Sequence, residues 1–94
     1  MRTYTELNPL RVAIETSDRV VMMQVEENED GFIDSECNVI VTKMTPKTFH
    51  SCTAKSKCQV LFNGDLGSFD INYMGDSYPD ELTSYCKKQV QRYL

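Results

Sequence analysis

The chain predicts an α+β domain: a small antiparallel sheet of five or six hairpin-connected strands, with one C-terminal α-helix packed on one face. Three observations carry this. Short β-branched runs at Arg11–Thr16, Arg19–Val25 and Asn38–Met44 are separated by turn-forming or acidic stretches. Phe69, Ile71 and Tyr73 alternate with Asp70 and Asn72, the period of a half-solvated strand, so one sheet face needs a cover. Leu82, Tyr85, Cys86, Val90 and Tyr93 recur at helical spacing and supply it. The 94 residues, 40% hydrophobic and 26% charged, suit one domain over 1–94 with a single modest core.

Residues 1–10 read as a lead-in, with Asn8-Pro9 as a breaker. Arg11–Thr16 is a strand with Val12 and Ile14 on one face. Ser17-Asp18 turns it back into Arg19–Val25, so the two are antiparallel neighbours. An acidic loop leads to the strand Asn38–Met44. Residues 45–57 are ambiguous. Thr45 and Pro46 suit the cap and first position of a short helix, but TFHSCT is poor helix material, so strand or irregular structure is expected. A second hairpin is expected from Lys57–Phe62, a turn at Asn63-Gly64 and a strand over Ser68–Met74. Ser77 to Asp80 then opens a helix of ~15 residues, about 22 Å long, with Lys87, Lys88 and Arg92 complementing its C-terminal dipole.

Charge is distributed in blocks that the net value of −4 conceals. Residues 1–36 carry nine acids against three Arg. Residues 37–64 carry four Lys and no acid, residues 65–81 five acids and no base, and residues 82–94 two Lys and one Arg. The densest block lies between the strands Arg19–Val25 and Asn38–Met44, where Glu26, Glu27, Glu29, Asp30, Asp34 and Glu36 stand without a base. The expectation is a long hairpin with its tip crowded by carboxylates. Lys43, Lys47, Lys55 and Lys57 bracket residues 45–57; they read as lysines that blunt an exposed sheet edge, ahead of a phosphate-binding patch.

The acidic loop resembles a calcium-binding EF-hand loop. Glu26, Asn28 and Asp30 fall at its first three ligand positions, Gly31 at the turn, Ile33 at the apolar slot and Asp34 at the ninth position. It departs where Cys37 occupies the twelfth position, with Glu36 one residue early, and where the flanks read as strands and not helices. A solvated acidic tip is therefore favoured over a metal site, and neither metal nor cofactor is expected.

Other chemistry has little to stand on. Cys37, Cys52, Cys58 and Cys86 include no Cys-x-x-Cys pair, so free thiols are expected before zinc or disulfides. A His50–Cys52 pair on one strand face is conceivable, but it lacks an orienter and an oxyanion site. There is no phosphate loop, nucleophile elbow or HExxH. No enzyme is expected, nor direct nucleic-acid binding by a chain of net negative charge. No apolar run approaches the ~20 residues of a membrane span, and the N-terminal stretch has no apolar core of a secretory leader. The expectation is a cytoplasmic binding protein whose carboxylates occupy a basic surface of a partner protein, that is, a stoichiometric inhibitor. In size and charge it resembles short phage proteins that block host defence or nucleic-acid machinery, and toxin-immunity proteins. The remaining alternatives are a homo-oligomeric assembly subunit and a calcium-binding module.

Overall fold

The computed structural model describes residues 1–6, 10–27, 36–51, 58–69 and 80–94. Within them, five strands form one antiparallel sheet in the order of the chain: β1 (Arg2–Glu6), β2 (Leu10–Glu15), β3 (Val20–Val25), β4 (Asn38–Met44) and β5 (Gln59–Asp65). A short helix α1 (Pro46–Ser51) joins β4 to β5. A 3₁₀ turn (Leu66–Phe69) follows β5, and α2 (Asp80–Tyr93) ends the fold. This is the expected α+β architecture, an antiparallel sheet with a C-terminal helix against it.

The period-two pattern of the strands sorts side chains between two faces. Leu10, Val12 and Ile14 of β2 point one way, with Val21, Met23 and Val25 of β3 and Val39 and Val41 of β4; none is more than 1% exposed. The pairings Val12↔Met23↔Val41 and Leu10↔Val25↔Val39 lay these side chains in rows across the sheet. α2 lies over β2 and β3 and drives Leu82, Cys86 and Val90, spaced by four, into the same cluster. Gln89 of α2 is also buried, which the stripe of apolar residues does not announce. The Ser17-Asp18 turn is present as expected: Thr16 N donates to Arg19 O at 2.8 Å and Thr16 Oγ1 to Asp18 Oδ1 at 2.9 Å.

Three expectations are corrected. Residues 2–6 are not a lead-in but strand β1, paired from Arg2↔Glu15 to Glu6↔Arg11. It is an edge strand, largely exposed, so it needs no apolar pattern to hold its place. Residues 46–51 are a helix and not a strand. Thr48 N donates to Thr45 Oγ1 at 3.2 Å, which caps the helix, and Pro46 sits where its missing N–H is not needed. Phe49, packed on Tyr4 with ring centroids 5.1 Å apart, anchors it to the sheet. Residues 52–57 lie outside the described residues.

The third correction concerns Asn63-Gly64, which is no turn. β5 runs through it, with Asn63 opposite Ile40, Gly64 opposite Val39 and Asp65 opposite Asn38. The register shifts between Val41 and Thr42, which face Phe62 and Val60, so Leu61 is the extra residue of a β-bulge. The bulge turns both Leu61 and Phe62 toward the α2 core. A Cβ on Gly64 would stand 2.8 Å from the tip of the Phe62 ring. The glycine makes room for that ring and does not reverse the chain. Of the expected partner strand, Ser68 and Phe69 belong to the 3₁₀ turn, and 70–74 lie outside the described residues, as do Ser77 to Pro79 of the expected helix cap.

Gly64→Ala is expected to overpack this site and cost about 1–3 kcal/mol. Placing the same change in a Phe62→Leu background should recover much of the loss. Urea unfolding of the four variants measures both, and equal costs in the two backgrounds would refute the packing role of Gly64.

Candidate functional site

In a meander, β3 ends where β4 begins and where β5 ends, so residues far apart in sequence meet at one end of the sheet. Glu26 N donates to Asn38 O at 3.0 Å, Asn38 pairs with Asp65, and Leu66 N donates to Cys37 O at 2.8 Å. These contacts gather Glu26, Glu27, Glu36 and Asp65 at that end. Glu26, Glu36 and Asp65 are exposed and Glu27 is half-buried. Glu6 stands on the next rungs inward, at the end of β1. Its carboxylate accepts from Arg11 at 3.2 Å, while Arg11 Nε donates to Gln24 Oε1 at 2.9 Å. That guanidinium is already engaged, and no other strand residue paired at this end is a cation.

Of the six acids expected to form the site, Glu26, Glu27 and Glu36 are therefore brought together. Glu29, Asp30 and Asp34 lie outside the described residues. Asp65 joins them through the β4–β5 pairing, although it is 29 positions beyond Glu36 in the chain. The sequence offers Asp65, with Asp70, Asp76, Asp80 and Glu81, as acids that would join the loop if they shared its face, and the pairing with Asn38 meets that condition for Asp65. Asp70 and Asp76 lie outside the described residues.

The opposite end of the sheet carries Arg2, Arg19, Lys43, Lys47 and His50. Among the described residues, the acids Asp18 and Glu15 there are engaged. Asp18 accepts from both Arg19 Nε and Nη2, at 3.3 and 3.2 Å, which holds its carboxyl below the usual carboxylate range. Glu15 accepts from Tyr4 Oη at 2.7 Å and lies 3.0 Å from His50 Nε2. The Tyr4 hydrogen bond is the largest reason that its carboxyl is also held low, ahead of the contribution of His50. The ring of His50 stacks edge-on against Phe49, with centroids 5.0 Å apart. His50 thus lies on a helix and ties α1 to β2. The expected pairing with Cys52 assumed a strand at His50, and Cys52 lies outside the described residues.

Of the remaining cysteines, Cys37, Cys58 and Cys86, none forms a disulfide. Cys37 and Cys86 are 2% and 0% exposed, and burial pushes the Cys86 thiol up to about 12. A thiol so placed carries no thiolate chemistry at neutral pH. Among the described residues no three His, Cys, Asp or Glu side chains cluster to hold a metal ion, and no helix is long and apolar enough to cross a membrane. No protein-family model, no curated protein and no solved structure matches this chain.

Two outcomes are expected. In a Cys52→Ser background, iodoacetamide should label Cys58 first, with Cys37 and Cys86 slower by at least about tenfold because they react only after local opening. Peptide mass spectrometry measures this, and equal rates would contradict the burial. For Glu15 the folded carboxyl titrates below its ordinary value of 4.5. Its stabilisation is therefore full above that value and is lost as pH falls through the lower, folded midpoint. Tyr4→Phe should raise the Glu15 midpoint toward 4.5, read by carboxyl NMR titration. An unmoved midpoint would show that the Tyr4 hydroxyl does not stabilise the carboxylate.

Proposed function

We propose that this protein is a small acidic binding protein that occludes a basic surface on a partner protein, acting as a stoichiometric inhibitor of the kind phages use against host defence. The observation that carries the reading is the gathering of Glu26, Glu27, Glu36 and Asp65 at one end of the sheet, with Arg2, Arg19, Lys43 and Lys47 at the other. The acids of the connecting loop extend the same charge in sequence. Carboxylates spaced along one end present a partner's Arg and Lys with the charge pattern of a phosphate backbone. Charge-assisted hydrogen bonds from arginine supply specificity, and the field supplies fast association.

The reading sets the protein in the cytoplasm. It assigns the partner contact to Glu26, Glu27, Glu29, Asp30, Asp34 and Glu36 and adds Asp65. It needs no catalysis, cofactor or direct contact with nucleic acid. A toxin-immunity protein would use the same chemistry on a different basic cleft.

The test is capture of partners from a host lysate by the wild type and by a variant with Glu26, Glu27, Glu36 and Asp65 changed to Gln or Asn, each at low and high salt. The wild type should hold a basic protein at low salt and release it at high salt. The variant should hold it at least roughly tenfold more weakly, with a flatter salt dependence and unchanged melting. Equal capture by the two would remove the acidic end as the contact. Self-association alone, read as a mass that rises with concentration, would favour an assembly subunit.

A further inference from the structure

The face of the sheet opposite α2 takes no part in the proposed contact, and it is built differently from the other. α1 returns over this face, where Phe49 packs with Tyr4, Ala13, Val20 and Met44. Between α1 and the strands a groove of about 660 Å³ stays open. Its volume lies within the ~300–1,000 Å³ typical of small-molecule sites and exceeds what one anchoring side chain fills.

The lining specifies the chemistry. Met22 and Met44 supply two thioethers, and Cys58 Sγ lies 3.9 Å from Met44 Sδ. Phe49 and Tyr4 line the groove as well. Polarisable sulfur and aromatic faces both favour an aromatic ring. The lining also holds the hydroxyl of Thr42, which is hidden from water and has no hydrogen-bond partner. An unsatisfied hydroxyl in a folded protein calls for a partner, and a polar substituent on a bound ring would provide one. Glu6, Arg11 and Gln24 edge the groove, where Arg11 bonds to both of the others. The acid and the guanidinium offset each other, so the rim has no net charge, which points to an uncharged ligand. A second copy of the chain is disfavoured, because α1 projects from this face and would keep a flat partner off the floor.

We propose that this groove binds a small uncharged aromatic molecule bearing one hydroxyl, amino or carbonyl group. The ring lies against Met22, Met44 and Phe49, and the polar group meets Thr42 Oγ1 once rotation about χ1 turns the hydroxyl from its buried position into the groove. The site is independent of the acidic end, and either can be lost without the other.

The test uses the full chain with ¹³C-labelled methionine methyls, titrated with phenol, indole and toluene. Met23 is an internal control, because it is wholly buried under α2 on the other face. The expected result is saturable shifts of the Met22 and Met44 methyls while Met23 stays still. Thr42→Val, nearly the same shape, should weaken phenol by roughly three- to tenfold, the range of one hydrogen bond, and leave toluene unchanged. The proposal is overturned by no shift from any probe at millimolar concentration, by equal movement of Met23, or by a phenol-to-toluene ratio indifferent to Thr42→Val. It is also overturned if the Met22 and Met44 methyls move on dilution alone, which would make a second copy the occupant. Binding of Gly-Trp-Gly where indole fails would assign the groove to a polypeptide anchor and overturn it equally.

Discussion

Everything in this fold depends on the rows of aliphatic side chains that β2, β3 and β4 present to α2. Val12, Met23 and Val41 lie side by side across three strands, and Leu82, Cys86 and Val90 close over the cluster they form. Removing this surface from water is the main favourable term available to so short a chain. It also fixes the register, because a slip of one residue in any of the three strands would turn its whole aliphatic set to the wrong face. The register in turn determines which polar side chains meet on the other face and which acids meet at the end.

The two faces of the sheet are consequently unequal. One is sealed by a helix of 14 residues. The other is crossed by a helix of six, held by a threonine cap, an aromatic contact and the Tyr4–Glu15–His50 hydrogen bonds. Six residues are too few to form a stable helix alone, so α1 exists through these contacts. It is also too short to cover five strands, so a groove remains, floored partly by methionine and holding an unsatisfied hydroxyl. A well-packed core lies on one side of the sheet and an open apolar surface on the other.

The ends of the sheet differ in charge for a topological reason. A meander brings alternate strand ends together, so acids before β4 and at the end of β5 share one end while Lys43 and Lys47 fall at the other. Glu36 and Asp65, which could have faced Lys43 and Lys47 on neighbouring strands, are instead separated from them along the strand direction. Such a separation acts at long range, before contact, where it affects association rates more than stability.

The elements legible in the sequence were those whose pattern follows from their own burial. Val20–Val25 and Asn38–Met44 are rich in residues that suit a half-buried sheet, and Leu82, Cys86 and Val90 repeat at the pitch of a helix, so each could be read locally. Glu26, Glu27 and Glu36 could be grouped for the same reason, since they flank a single hairpin. The rest was decided by tertiary structure. Arg2–Glu6 carries no apolar signal, because an edge strand is held by hydrogen bonds to β2 and not by its own burial. Pro46–Ser51 has weak helix propensity and is held by contacts with distant β1 and β2. Asn63-Gly64 has the residues of a turn, yet a bulge at Leu61 and the ring of Phe62 require a glycine inside a strand. Asp65 joins the acidic end only through pairing with β4. The sequence alone determined the aliphatic sheet, its helix and the excess of acid; the tertiary structure decided where the charge converges and which face stays open, because both depend on strand pairing between residues far apart in the chain.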